Sequence, residues 1–172
     1  TITTAACTAY REGGEMPDGL EGQIEEALRA LETESGRRLG DPVDPLLVSV
    51  RSGAPVSMPG MLDSVLNLGL NEAAVEGLAE RSGDPHMAWD SRRRLIQMFS
   101  EVVRGVDAMA FEDALVEARH VNGVEVDSDL DQAALKALAG RYLEIFRQQT
   151  GEDFPEDPHT QLVQAVRAVF DS

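Results

Sequence analysis

The stretch Leu46-Leu47-Val48-Ser49-Val50-Arg51-Ser52-Gly53-Ala54-Pro55-Val56-Ser57-Met58-Pro59-Gly60-Met61-Leu62-Asp63-Ser64-Val65-Leu66-Asn67-Leu68-Gly69-Leu70 decides how the chain is read. Its first arm, Leu46 to Val50, is apolar, too short for a helix and suited to a buried strand. Arg51 ends that run. Small and turn-forming residues follow: Ser52, Gly53, Ala54, Pro55, Ser57, Pro59 and Gly60. A second apolar arm runs from Met61 to Leu70. Glycines let a backbone approach a ligand closely, and consecutive amides can form an anion-binding nest. Arginine adds a permanent charge and a planar fork of donors that matches phosphate oxygens. The plain alternative is a turn between two structural segments. The loop is not a Walker motif: no Gly-Lys-Ser/Thr follows, and the only lysine of the chain is Lys136.

The second arm is ambiguous by itself. Leu62, Leu66 and Leu68 suit period two, whereas Leu62, Val65, Leu66, Gly69 and Leu70 suit a helix about as well.

The wording of the whole block goes further. Val48 to Asn71, with its Val-Arg-Ser-Gly and Ser-Met-Pro-Gly-Met motifs, resembles the nucleotide-binding region of the pyruvate, phosphate dikinase family. The resemblance continues through Ala88 to Phe99. It extends to the opening Ile2 to Tyr10 and the ending Asp157 to Phe170, and so to essentially the entire chain. It implies that the second arm is a strand paired with the first, with Arg51 at a hairpin tip as in ATP-grasp nucleotide sites. The implied fold class is α+β and mostly helical: part of an ATP-grasp domain, a β-hairpin with flanking helices, carrying an inserted small helical-bundle subdomain. The implied boundaries are 1–70 for the hairpin-bearing part, 71–156 for the helical insert and 157–172 for the return helix.

The same resemblance implies the chemistry. Family members convert ATP, phosphate and pyruvate to AMP, pyrophosphate and phosphoenolpyruvate through a phosphohistidine on a swivelling domain. Arg51 matches the arginine that binds ATP phosphates and stabilises charge during transfer, and is the catalytic candidate. Gly60 matches the loop glycine that approaches the phosphates; Ser52, Gly53, Ser57, Met58 and Met61 are nucleotide-binding neighbours. Leu62 and Ser64 stand where the family usually has methionine and threonine. No metal ligand is assigned here. Mg2+ accompanying ATP, the early lysine, the carrier histidine and the pyruvate-binding barrel are all expected outside this chain. The expected partners are ATP and the phosphohistidine-carrier and pyruvate-binding domains of a cytoplasmic, homo-oligomeric parent, and the segment alone is expected to be inactive. The same region of a phosphoenolpyruvate synthase-like phosphotransferase, and a helical interaction module whose loop is only a turn, are the other readings.

Composition sets outer limits. The 172 residues carry 31 acidic and 15 basic side chains, a net charge of −16. That opposes duplex nucleic acid, whose binding rests on phosphate neutralisation, but not ATP, for which one basic patch is enough. No run approaches the ~18 apolar residues of a membrane span. Cys7 is the only cysteine; it excludes an internal disulfide, fits a reducing compartment, and reads as a small buried helix residue.

Helix signals flank the central stretch. Thr4 is expected to cap a helix to about Glu12, stopped by Gly13-Gly14. Pro17-Asp18 opens a second, with Leu20, Ile24, Leu28 and Leu31 on one face and Gly36 as its stop. Asn71 caps a helix ending near Gly83. Asp84-Pro85 opens one with Trp89, Ile96, Phe99 and Val103 inward, stopped by Gly105. Asp107 caps a helix carrying Phe111, Leu115 and Ala118, and Asn122-Gly123 turns the chain. Ser128 with Asp131 resembles a capping box for a helix with Leu135, Leu138, Tyr142, Ile145 and Phe146 inward. Asp157-Pro158 begins the last, with Leu162, Val166 and Val169 inward.

Other constellations carry less. Asp127, Asp129 and Asp131 imitate the start of a calcium loop, but the sixth position is Gln132 and the twelfth Leu138. His86, His120 and His159 lack ligand spacing; His86 and His159 read as surface residues of first turns. Arg92-Arg93-Arg94 fan around a helix, with ion pairing to the acidic surface as the default and a phosphate contact as the alternative.

Overall fold

The computed structural model describes residues 1–53 and 64–171. Among these, seven α-helices and four short strands follow in the order α1 (Thr4–Gly13), α2 (Leu20–Ser35), β1 (Arg38–Leu39), β2 (Pro45–Leu46), β3 (Val48–Arg51), β4 (Ser64–Leu68), α3 (Glu72–Ser82), α4 (Pro85–Arg104), α5 (Ala108–Asn122), α6 (Gln132–Thr150) and α7 (Pro158–Asp171). A single 3-10 turn, Asp127–Asp129, precedes α6. The fold is α+β and mostly helical, as the sequence implied.

Caps explain most boundaries. Asn71, Asp84, Asp107 and Asp131 each accept a bond from a backbone N–H of the first turn of their helix, and Gly83, Gly105, Gly123 and Gly151 close the far ends in the left-handed conformation. Each such side-chain cap contributes about 1 kcal/mol. Three starts differ from the sequence reading. Thr3, not Thr4, caps α1, because its hydroxyl is the one that reaches the Ala6 N–H. Helix α2 begins at Leu20 after Gly19 rather than at Pro17-Asp18. Ser128 lies in the 3-10 turn, and Asp131 caps α6 directly by accepting from Ala134 N–H at 2.8 Å. The same bond commits Asp131 to the helix, while Asp127 faces Arg119 at 3.3 Å.

The run Leu46 to Val50 is not one buried strand. The chain changes partner at Leu47: β2 pairs in parallel with β1, and β3 pairs antiparallel with β4. No residue of β3 is fully buried; Val48 and Val50 are half-covered and Ser49 and Arg51 exposed, a clean two-residue alternation.

Strand β4 breaks that alternation. Val48 faces Leu68, but Val50 faces Val65, so Ser49 stands opposite two residues, Leu66 and Asn67. Asn67 takes φ 59°, the single positive φ of a non-glycine among the described residues. A bulge of this kind turns the side chains after it by one step. Val65 and Leu68, which strict alternation would send to opposite faces, are both fully buried, as is Leu70. The inward set is therefore Val65, Leu68 and Leu70; Leu66 is half-covered, and Leu62 lies outside the described residues.

Helix α4 is the central pillar. It packs against α6, α3, β4 and α7. Trp89, Arg92, Arg93, Leu95, Ile96, Phe99 and Ser100 are buried along it. All five inward residues expected on α6 are buried. Phe154, in the α6–α7 connection, inserts between Phe99 and Phe146 with ring centroids 5.1 and 5.4 Å away; edge-to-face pairs add about 0.5–1.5 kcal/mol each beyond their burial. Leu31, expected inside, is 49% exposed. Val103, Ala118, Val169 and Cys7 are only half-covered. The buried apolar residues from α2, β4 and α3 to α7 form one continuous core.

Candidate functional site

The β3–β4 hairpin positions the candidate residues. Arg51 is the last residue of β3 and pairs across the ladder with Ser64, the first of β4. It lies at the end of the ladder that precedes residues 54–63, which are outside the described residues. Alternation along β3 puts its side chain on the solvent face with Ser49. Among the described residues it makes no ion pair, although 13 other ion pairs form. In a chain of net charge −16, a guanidinium without a carboxylate partner is the least neutralised kind of cation.

Ser52 and Gly53 continue from it. The Ser52 hydroxyl is buried and has no hydrogen-bond partner among the described residues. Gly53 is exposed, and a Cβ there would meet nothing within 4 Å. Ser57, Met58, Gly60 and Met61 lie outside the described residues.

The other end of the hairpin is held by buried polar groups. Gly69 donates its N–H to Gln161 Oε1 of α7 at 3.0 Å. Gln161, fully buried, donates from Nε2 to the Pro155 carbonyl at 2.7 Å. Leu70 offers its carbonyl oxygen to Arg92 Nη1 at 2.7 Å. The Arg92 Nη2 donates to Glu156, whose other oxygen accepts from Glu72 N–H at 3.3 Å. Arg92 is 2% exposed and its guanidinium lies 5.3 Å from the Phe154 ring centroid. Burial pulls its pKa down; Glu156 works against that. Gly69 itself has φ 94°, and a Cβ would come within 2.5 Å of Leu39 Cδ1.

The arginine triplet thus divides. The expected ion pairing holds for all three, with Glu156 or Asp90, but for Arg92 and Arg93 it is not at the surface: both are buried between elements. Arg93 donates to Asp90 at 2.7 Å and lies against Tyr142, whose hydroxyl donates to the Phe111 carbonyl. Arg94 alone is open, with 60% of its side chain exposed and its Nε on Asp90 at 2.7 Å. Any phosphate contact from this cluster falls to Arg94. Among the histidines, His159 is half-exposed and 4.0 Å from Glu25. His86 is not a plain surface residue: its Nε2 is buried without a hydrogen-bond partner among the described residues.

Gln161, Glu156 and Phe154 were not legible as site-supporting residues. A glutamine inside an apolar helix face, next to Leu162, was the signal available for Gln161. Among the described residues no cluster of three or more His, Cys, Asp or Glu is arranged to hold a metal, and no helix is long and apolar enough to cross a membrane.

No family model matches the chain. Curated proteins do, along its whole length. It is 48% identical over 174 residues to the pyruvate, phosphate dikinase of Clostridium symbiosum. It is 47% identical over 173 residues to that of Rhizobium meliloti, and 49% over 173 residues to the chloroplastic enzyme of Flaveria pringlei. In each case the match covers 100% of this chain and 18–20% of the relative. The chain therefore spans about a fifth of the length of the curated relatives it matches.

Proposed function

We propose that this chain, similar from end to end to one segment of pyruvate, phosphate dikinases, is part of the ATP-grasp nucleotide-binding domain of such an enzyme. The observation that carries the reading is Arg51: exposed at the end of a β-ladder, followed by Ser52 and Gly53, and free of any carboxylate partner among the described residues. A guanidinium so placed can meet triphosphate oxygens through two parallel N–H···O bonds.

Phosphoryl transfer is catalysed mainly by positioning and by stabilising charge on the transferred group. In the proposed overall reaction one phosphoryl of ATP passes to phosphate, giving pyrophosphate. Another passes to a histidine nitrogen, the P–O bond to AMP breaking as the N–P bond forms, and then to the enol oxygen of pyruvate, which frees the histidine and gives phosphoenolpyruvate. Arg51 would neutralise charge on the oxygens of the phosphoryl that leaves the nucleotide. Ser52, Gly53, Ser57, Met58, Gly60 and Met61 would line the phosphate path, with Gly60 bringing the backbone close. Mg2+ would enter with ATP on ligands outside this chain, and the carrier histidine and pyruvate site belong to other parts of a cytoplasmic parent. The units 1–70, 71–156 and 157–172 would be the hairpin-bearing part, the helical insert and the return helix.

The test is Arg51→Ala and Arg51→Lys in the full-length enzyme. ATP-dependent phosphorylation of the carrier histidine should fall by about 10²- to 10³-fold in Arg51→Ala, the usual loss when one charge-stabilising donor is removed. Arg51→Lys should keep only part of the rate, because a point charge does not replace a planar fork. Label exchange between pyruvate and phosphoenolpyruvate, which does not use ATP, should be unchanged. An Arg51→Ala enzyme that phosphorylates its histidine at the normal rate would end this reading.

A further inference from the structure

We infer that Gln161 is a positioning residue for Arg51, acting through β4 from the far end of the hairpin. The inference rests on the reading of Arg51 as the phosphate-facing group. The hairpin is a two-stranded ribbon, and isolated ribbons of this size are marginally stable. Its orientation comes from the helices it packs on, α4 and α7, and from what holds its base. There Gly69 N–H, buried and in a residue at φ 94°, donates to Gln161 Oε1, its acceptor among the described residues. The next residue, Leu70, has its carbonyl on buried Arg92. Gln161 also holds the α6–α7 connection through Pro155, and that connection carries Glu156, the partner of Arg92. Two successive residues at the exit of β4 are thus fixed to α7 and α4 by side chains that are themselves bridged.

The path is short: Gly69 directly follows β4 (Ser64–Leu68), and Val65 and Leu68, on either side of the bulge, are fully buried and anchor that strand in the core. A change of angle at Gly69 is therefore delivered to Ser64 and its ladder partner Arg51. Gln161 matches the task because it donates and accepts at once: an apolar residue would leave both the Gly69 N–H and the Pro155 carbonyl without partners.

The experiment uses the full-length enzyme carrying Gln161→Leu, Gln161→Glu and, as reference, Arg51→Ala. Gln161→Leu is expected to lower kcat for histidine phosphorylation by ATP by about 10- to 100-fold, the scale of a ~1 Å misplacement. The KM for ATP should change by less than about threefold, since that misplacement acts on the transfer step, and pyruvate–phosphoenolpyruvate exchange should be untouched. Gln161→Glu should be slow when ionised, because a carboxylate cannot donate to Pro155. Measured relative to the unsubstituted enzyme at each pH, it should recover as the pH falls, since a protonated carboxyl again donates to Pro155 and accepts from Gly69.

That pH-dependent recovery is a readout that general loss of folding would not produce, and it decides the matter if Gln161→Leu does not fold. The inference is overturned if Arg51→Ala is inactive with ATP while Gln161→Leu stays within about twofold of normal. It is overturned equally if Gln161→Glu shows no recovery at low pH, or if both half-reactions fall together. If Arg51→Ala is itself fully active with ATP, the underlying reading fails, whatever Gln161 does.

Discussion

Arg92 donates from Nη1 to the carbonyl oxygen of Leu70 at 2.7 Å, joining the middle of the longest helix to the exit of the hairpin. The bond is buried, and the same guanidinium also reaches Glu156, so one side chain links β4, α4 and the α6–α7 connection.

Replacing Arg92 by methionine should therefore destabilise the domain by about 2–3 kcal/mol, the range for losing hydrogen bonds to a charged group in the interior. The volume is nearly kept, but the Leu70 carbonyl is orphaned. Glu156, with 46% of its side chain exposed, can rehydrate, which keeps the loss below that of a fully buried broken pair. A drop in the urea midpoint at unchanged m-value would report it. An unchanged midpoint would mean that water replaces the guanidinium at no cost.

Arg51→Ala should behave in the opposite way. Its side chain is exposed and unpaired among the described residues, so the same urea experiment should move by no more than about 0.5 kcal/mol. A large loss of stability would show that Arg51 holds the hairpin together rather than facing a ligand.

Two helical glycines offer a sharper contrast. Gly77 of α3 is buried, and a Cβ there would come within 2.0 Å of the Pro42 carbonyl oxygen, a backbone atom that cannot yield. Gly140 of α6 is exposed with nothing within 4 Å of its Cβ position. Gly140→Ala should stabilise by up to about 1 kcal/mol through helix propensity. Gly77→Ala should destabilise despite the same gain, by about 1–3 kcal/mol of overpacking. Thermal unfolding of the two variants side by side checks both signs.

Acid should weaken the start of α7. Asp157 accepts from the Thr160 hydroxyl and the Thr160 N–H, both at 2.7 Å, and these bonds, the hydroxyl first, hold its pKa below the ordinary aspartate value. A carboxylate with a depressed folded pKa stabilises the fold above its unfolded pKa and loses that contribution as pH falls through the folded one. Asp41, held down chiefly by the Asp44 and Val43 amides, and Glu152, held down by Arg104, act in the same direction. Stability should thus decline as pH drops below about 4. Asp157→Asn keeps the cap acceptor and removes the charge, so unfolding midpoints at several pH values should show a shallower acid slope for it. An identical slope would remove Asp157 from the account.

Much of the chain was legible because its signals are local. Asn71, Asp84-Pro85, Asp107, Gly105 and Gly151 are helix punctuation whose chemistry acts within one turn, and the structure places them as caps. The apolar face of α6 obeys a single period from end to end, so all five expected residues are buried. At α2 the period placed Leu20, Ile24 and Leu28 inside, but Leu31 is exposed, since periodicity marks a face without saying which of its residues are covered. The hairpin was harder. Its second arm fitted helix and strand alike, and only the resemblance favoured a strand.

What the sequence determined by itself is most of the helix limits, the apolar stretches on either side of Arg51, and similarity to dikinases along the full chain. What only the tertiary structure decided is which side each residue takes where the repeat is broken or the partner is distant. The bulge at Leu66-Asn67 brings both Val65 and Leu68 inside, and the arginine triplet splits into two buried ties and one open charge. Gln161 becomes the acceptor for a peptide 92 positions away. The reason is range. Caps and periods are set by neighbours along the chain, whereas burial of a polar group is decided by whether distant backbone arrives to satisfy it.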